Sequence, residues 1–334
     1  MKPWMILAAT VLVASAASAK KPTPLFASDT PIHVTIQGPF STLASNRAET
    51  PRPATMSVDG VSYPITLTTR GITRKRADTC DFPPLRVALT SPAPAGSLFE
   101  HQKHLKLITH CKRDAGFQQK VLLEYSAYRL YNLMTPLSFR ARLANIDYID
   151  ANGRPYISRV GYFLEDFSDV AKRNGLTQAH MPSMIPVTQL DPEASARLAV
   201  FEYMISNYDW SIRAGPQGTE CCHNTRLAAA QQGGIVQPVP YDFDYSGLVD
   251  APYAVEPEGV PISSVRQRYY RGYCVYIPQA RTIAAQVAAR RAEFLGSFAS
   301  VPGLDPKEQA KAADYLKGFF ADVDSGKIFK ACSN

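Results

Sequence analysis

The residues with the most chemical promise fall within residues 207–247. Asn207-Tyr208-Asp209-Trp210 is followed by Cys221-Cys222-His223-Asn224, then by Pro240-Tyr241-Asp242-Phe243-Asp244-Tyr245-Ser246-Gly247. On a strand, residues two apart face the same way, so Asp242 and Asp244 are expected to offer two carboxylates to one hard cation. Magnesium takes oxygen ligands and binds through one or two carboxylates plus substrate phosphates, and an amide oxygen from Asn224 suits the same ion. Asp209 is then left to orient or deprotonate a hydroxyl. The same residues have a plainer reading. Asp209 can end a helix, and Asp242 and Asp244 can cap a turn closed by Gly247, because Asp and Gly favour turns for local reasons.

Other chemistries find less support. There is no G-x-S-x-G nucleophile elbow and no H-E-x-x-H helix, and the six His are scattered. His223 stands beside Asn224, where it can orient a metal-side loop or serve as an ordinary structural histidine. Cys221-Cys222-His223 lacks the C-x-x-C and H-x-x-x-H spacings that set tetrahedral zinc ligands. An even count of six Cys fits disulfides in an oxidising compartment instead. The expected pairing joins Cys80 to Cys111 and leaves Cys221, Cys222, Cys274 and Cys332 to pair among themselves, with the adjacent Cys221 and Cys222 going to different partners.

The beginning of the chain agrees with export. Lys2, an apolar run over residues 4–13 and Ala17-Ser18-Ala19 form the three parts of a signal peptide cleaved near Ala19. The run is shorter than the roughly 20 residues that span a bilayer, and no second long apolar stretch follows, so no integral membrane segment is expected after cleavage. With 334 residues, 46% hydrophobic and 19% charged, the composition excludes disorder and fibrous repeats. The net charge of +7 is concentrated at Arg70, Arg74, Lys75, Arg76 and Arg86. That run either attracts phosphates and other anions or is the solvated edge of a strand. No aromatics interleave with it, which argues against a nucleic-acid partner.

These residues must be positioned by elements that the pattern makes legible. Strands are expected at residues 32–36, 85–89 and 104–109, with a hairpin over 55–69 turning at Asp59-Gly60. The apolar spacing of Val121, Leu122, Tyr125, Tyr128 and Leu133 predicts a helix over 118–134, with Glu124 near its start. A second hairpin, 139–148 with 156–164, turns at Asn152-Gly153 and exits through Glu165 and Asp166. Asp191-Pro192 opens a helix that buries Leu198, Phe201, Met204 and Ile205 and ends near Asn207. A strand over 236–243 and two closing helices complete the chain, one carrying residues 283–298, the other opened by Asp305-Pro306 and stopped at Gly326. The organisation read from this is a signal peptide (1–19), a Pro-rich leader (20–31), a β-rich lobe with one helix (32–165) and a larger, mostly helical lobe (166–334). Functional sites favour the crevice between such lobes.

Together these islands resemble the CotH (spore coat protein H)-type atypical kinases, which share two motifs with HipA-like kinases. The resemblance rests on Arg70-Gly71, Phe82-Pro83-Pro84-Leu85-Arg86-Val87, the helix over 122–132, the Asn152-Gly153 hairpin running into Phe163-Leu164-Glu165, and the three islands that carry Asp209, Asn224 and Asp242-Phe243-Asp244. It implies an α+β, bilobal, atypical protein-kinase-like fold that uses Mg2+ (or Mn2+) and ATP. The implied reaction is transfer of phosphate to a protein or other hydroxyl-bearing acceptor. Residue by residue, Asp209 resembles the catalytic-loop acid, Asn224 the metal-binding Asn, and Asp242 or Asp244 the metal-binding acid. Arg70 and Arg86 become candidates for phosphate contact. Lys106 with Glu124 is the candidate Lys–Glu pair, although Lys106 reads equally well as an exposed strand residue. The spacing from Asp209 to Asn224 is longer than in kinase catalytic loops and contains Gly215, Pro216, Gly218 and two cysteines. No Gly-rich loop is present, so residues 69–76 are expected to hold phosphates through basic side chains and backbone. Two other functions stay open: a catalytically inactive binding or structural protein of the cell envelope, and a carboxylate-based glycan hydrolase.

Overall fold

The computed structural model describes residues 20–332; the expected signal peptide and its cleavage site lie outside the described residues. Seven strands, β1 (Ile32–Gly38), β2 (Arg52–Val58), β3 (Val61–Thr69), β4 (Leu85–Leu89), β5 (His104–Ile108), β6 (Ala141–Asp150) and β7 (Pro155–Leu164), close into a barrel in the order β1-β2-β3-β4-β5-β7-β6. Asp59 and Gly60 both take positive φ, 50° and 78°, so β2 and β3 are joined by the two-residue turn that their right-handed twist favours. Between β6 and β7, Gly153 takes φ 82° and donates its N–H to the Asp150 carbonyl at 2.9 Å. The barrel closes where β1 runs parallel to β6, from Ile32 opposite Ala144 to Gly38 opposite Asp150. Along β1, Ile32, Val34 and Ile36 point into the barrel while His33 and Gln37 point out. The interior is filled by side chains such as Leu67, Leu85, Leu107, Tyr148 and Phe163. Phe40, on α1 (Phe40–Ser45), packs among them with its ring edge-on to Tyr148 at 5.1 Å.

The second core lies against the outside of this barrel. Asp114 caps α2 (Ala115–Met134) by accepting the Gly116 N–H at 2.7 Å. The helix then buries residues from Val121 to Tyr131 against β6, β7 and α4 (Pro192–Ile205). Asp191 opens α4 by accepting the Ala194 N–H at 2.7 Å, Pro192 takes the first turn, and Ser206 ends it in the left-handed conformation, φ 50°. Around it lie α3 (Phe167–Arg173) and a three-stranded sheet, β10-β9-β8, of β8 (Thr177–Gln178), β9 (Thr225–Ala229) and β10 (Gln237–Pro240). The chain ends in α5 (Ile277–Ala289), α6 (Arg291–Gly296) and α7 (Pro306–Asp324). The expected single helix over residues 283–298 is thus broken at Arg290.

The structure corrects the expected fold class. A closed seven-stranded barrel in a chain that is 33% helical is not a bilobal kinase-like fold with a mostly helical second lobe. Two physical reasons account for the error. Closure depends on the parallel pairing of β1 with β6, a contact between distant segments that leaves no local pattern in either strand. The α2 helix also does not complete a separate first lobe, because its buried face shares one core with α4 and α7. Cys80 is bonded to Cys111, as expected, and Cys274 to Cys332. Cys221 and Cys222 are bonded to each other, which corrects the expectation of separate partners. These bridges are compatible with an exported protein. No helix among the described residues is long and apolar enough to cross a membrane.

Candidate functional site

The turn that ends α4 builds the first part of the site. Beyond Ser206, the side-chain oxygen of Asn207 accepts the Asp209 N–H at 3.2 Å, and its carbonyl accepts the Trp210 indole N–H at 3.0 Å. Arg271 donates to the Tyr208 carbonyl and lies over the Trp210 ring at 5.5 Å. The segment is therefore fixed from both sides, and Asp209 projects from it. His223 Nε2 lies 2.6 Å from Asp209 Oδ1. Asn224 Nδ2 donates to Asp209 Oδ2 at 2.9 Å and to its carbonyl at 2.8 Å. The hydrogen bond to Asp209 raises the His223 pKa, against the opposing effect of burial, which favours the neutral ring. Asn224 takes φ 46°, a left-handed angle that Asn adopts more readily than most residues other than Gly, and its carbonyl accepts the Tyr241 N–H at 3.0 Å, tying this cluster to the end of β10. With Nδ2 committed twice, Asn224 Oδ1 is the end of the amide left for a ligand.

Asp242 and Asp244 are not paired by a strand. β10 stops at Pro240, so neither acid is on a strand, and Asp242 takes φ 68°. Its N–H donates to the Tyr128 hydroxyl at 2.9 Å, and its carboxylate has no hydrogen-bond donor among the described residues. Phe243 is locked between Tyr128 and Phe201, at ring distances of 4.6 and 5.2 Å. Asp244 consequently turns inward. It accepts from the Tyr253 hydroxyl at 2.9 Å and lies 3.9 Å from Arg74, whose guanidinium is 3.6 Å from Glu124 and donates to the Thr109 carbonyl at 2.6 Å. Burial, then the charge of Asp242, pushes Asp244 up to about 6; burial, then Asp244, pushes Glu124 up to about 8. The expectation of two carboxylates on one cation therefore gives way to one free carboxylate, Asp242, and one buried in an ion cluster.

Two adjoining cavities run past these groups. One, of about 520 Å3, is lined by Asp209, Asn224, Asp242 and Asp244 together with Arg70, Gly71 and Arg74. The second, of about 340 Å3, is lined by Arg86, Lys106, the acids Glu165 and Asp166 and the apolar Phe139, Leu164 and Phe167, and shares Arg226 with the first. The Tyr241 ring lines the first, with Lys106 Nζ at 4.2 Å and the Arg226 guanidinium at 5.3 Å. Burial, reinforced by the nearby charge of Arg70, brings Lys106 down to about 7. Arg86 is opposite Lys106 in the β4–β5 register, and Arg70 follows β3 with its N–H on the Pro84 carbonyl at 3.0 Å.

The expected pairing of Lys106 with Glu124 is corrected: Glu124 meets Arg74, and Lys106 faces Tyr241. Nor is the basic run one solvated edge. Lys75 and Arg76 pair with Glu49 and Asp78 near the surface, whereas Arg74 is 8% exposed. Arg226 and Tyr253 are site residues that sequence reasoning missed; the pattern marks Arg74 only as one of a basic run and Tyr128 only as an apolar helix position. In an irregular loop no periodicity tells which of three consecutive basic side chains turns inward. No cluster of three or more His, Cys, Asp or Glu with metal-binding geometry occurs among the described residues. No protein-family model matches the sequence, and no match was found among the curated proteins.

Proposed function

We propose that this protein binds a nucleoside triphosphate such as ATP, with Mg2+ or Mn2+, in the adjoining cavities and transfers its terminal phosphoryl group to a hydroxyl of a protein or other acceptor. One observation carries the reading: Asp209, gripped by His223 and Asn224, lines one cavity with the free carboxylate of Asp242 and with the basic Arg70 and Arg226. The donor set suits a hard cation. Asp242 supplies one carboxylate and Asn224 Oδ1 one amide oxygen, and phosphate oxygens would complete the shell, as is usual for Mg2+. When bound, the ion would neutralise charge on the phosphate oxygens.

The remaining roles belong to the chain's own side chains. Arg70 and Arg226 face the charge of the phosphates. Lys106, brought down to about 7 by burial, would hold its proton more firmly beside an anion. The apolar lining of Phe139, Leu164 and Phe167 suits a base. Asp209 has both oxygens held in fixed directions yet keeps lone pairs free, as a carboxylate offers about four acceptor positions. It can orient an acceptor hydroxyl and take its proton as the new P–O bond forms.

The test is incubation of the oxidised protein with γ-labelled ATP, Mg2+ or Mn2+, and hydroxyl-bearing proteins or small acceptors. Label appearing in an acceptor and dependent on the metal supports transfer. Nucleotide binding without transfer would support a non-catalytic envelope protein, and glycan cleavage without nucleotide a hydrolase.

A further inference from the structure

Beneath Asp209 lies a second acid for which the proposed reaction has no use. Glu202 is in the last turn of α4 and is 1% exposed, with no hydrogen-bond partner of good geometry at either carboxyl oxygen. Asn207 lies directly beside it: its N–H donates to the Glu202 carbonyl at 2.9 Å, and its side-chain amide neighbours the Glu202 carboxyl. The orientation of that amide is fixed by chemistry. The Asp209 N–H can only donate, so Asn207 Oδ1 must face it, which leaves Nδ2 on the Glu202 side. Asn207 Nδ2 is itself buried and otherwise unpartnered.

We propose that Glu202 is a positioning residue for Asp209, acting through the side-chain amide of Asn207. The inference rests on the reading of Asp209 given above. An apolar side chain would fill the same volume in the core at lower cost than an unpaired acid, so the physical reason for an acid here is the amide beside it. Burial, the largest cause, and the charge of Asp209 raise the Glu202 pKa, the neighbouring Asn207 amide lowers it, and Arg271 does not form an ion pair with it. The Glu202 carboxyl is the acceptor beside Asn207 Nδ2; drawing that end of the amide toward itself keeps Oδ1 under the Asp209 N–H and so sets the direction in which Asp209 leaves the turn.

Glu202→Gln keeps a neutral acceptor of the same shape, whereas Glu202→Leu removes it. Two readouts on the full chain separate this proposal from the function it rests on. The first, hydrogen exchange of the Asp209 amide, requires no activity. It should stay protected in Glu202→Gln and exchange about tenfold faster in Glu202→Leu, the worth of one hydrogen bond. The second is phosphoryl transfer: Glu202→Leu should lose about tenfold in kcat or more with the nucleotide KM unchanged, and Glu202→Gln should stay within about threefold of the parent. If Glu202→Leu does not fold, Glu202→Met, which keeps the length of the side chain, removes the same acceptor and should show the same faster exchange. Unchanged exchange in Glu202→Leu, or in Glu202→Met where that variant stands in for it, overturns the proposal. So does a Glu202→Gln variant as impaired as Glu202→Leu. If the parent transfers no phosphate, the function fails, and exchange alone decides the role of Glu202.

Discussion

Asp242 and Asp244 stand two residues apart, in one short turn, and meet opposite fates. Asp242 keeps a free carboxylate on a cavity wall beside Asn224 and Asp209. Asp244 is 7% exposed and is consumed by Tyr253, Arg74 and, through Arg74, by Glu124. Between them stands Phe243, whose burial against Tyr128 and Phe201 fixes the turn, with the Asp242 carboxylate left free and that of Asp244 in the ion cluster. The lesson is that a D-x-D pattern does not define a metal pair. A charge becomes available for chemistry only where packing leaves it without a protein partner, and the same residue type holds the fold together where packing surrounds it.

The comparison can be sharpened by breaking each side in turn. Asp209→Asn, on the open side, should lower kcat for phosphoryl transfer by about 10^2 to 10^4-fold, the usual worth of a general base, with little change in the unfolding midpoint. Both Asp209 and His223 are 37% exposed, so little stability resides there. Arg74→Met, on the closed side, should do the reverse of this and strike stability first. It strands Glu124 and Asp244 in the core, and chemical denaturation should report a loss of about 3–5 kcal/mol. Tyr253→Phe removes one donor from Asp244 and leaves Arg74 in place, so about 1 kcal/mol is expected by the same measurement.

A buried group that stays neutral costs nothing by protonation at pH 7 and serves as a control, its effect appearing only on acidification. His110 is 1% exposed, stacked on Phe82 at 4.7 Å, and burial, with the charges of Arg159 and Arg113, brings its pKa down to about 3 from 6.5. The unfolded chain therefore binds a proton that the folded chain refuses. Stability is intact above pH 6.5 and declines as the pH falls toward 3, at up to about 1.4 kcal/mol per pH unit. His110→Phe should flatten this part of the stability profile, measured by denaturation from pH 7 down to about pH 4.

Much of the scaffold was legible because its signals are local. Asp59-Gly60 set a hairpin, Asp191-Pro192 opened α4, and the apolar spacing from Val121 onward marked α2. The Cys80–Cys111 bridge also followed from position along the chain. What could not be read depends on distant partners or on local geometry that spacing does not reveal: β1 beside β6, Arg74 reaching Glu124, Lys106 turning to Tyr241, Cys222 bonded to its neighbour. At the site, the types of residue were legible and their directions were not. Asp209, Asn224 and Asp242 do meet in one cavity, yet Asp244 and Glu124 enter an ion cluster that no spacing in the sequence announces.

The most direct measurement is the thermal unfolding of the oxidised protein with and without ATP and Mg2+, alongside Asp242→Asn. A ligand that binds only the folded state must raise its stability by mass action. A metal-dependent rise in Tm that disappears in Asp242→Asn is the result predicted for a nucleotide held beside Asp209 and Asn224. A Tm unmoved by millimolar ATP and Mg2+, or a rise that Asp242→Asn leaves intact, would contradict it.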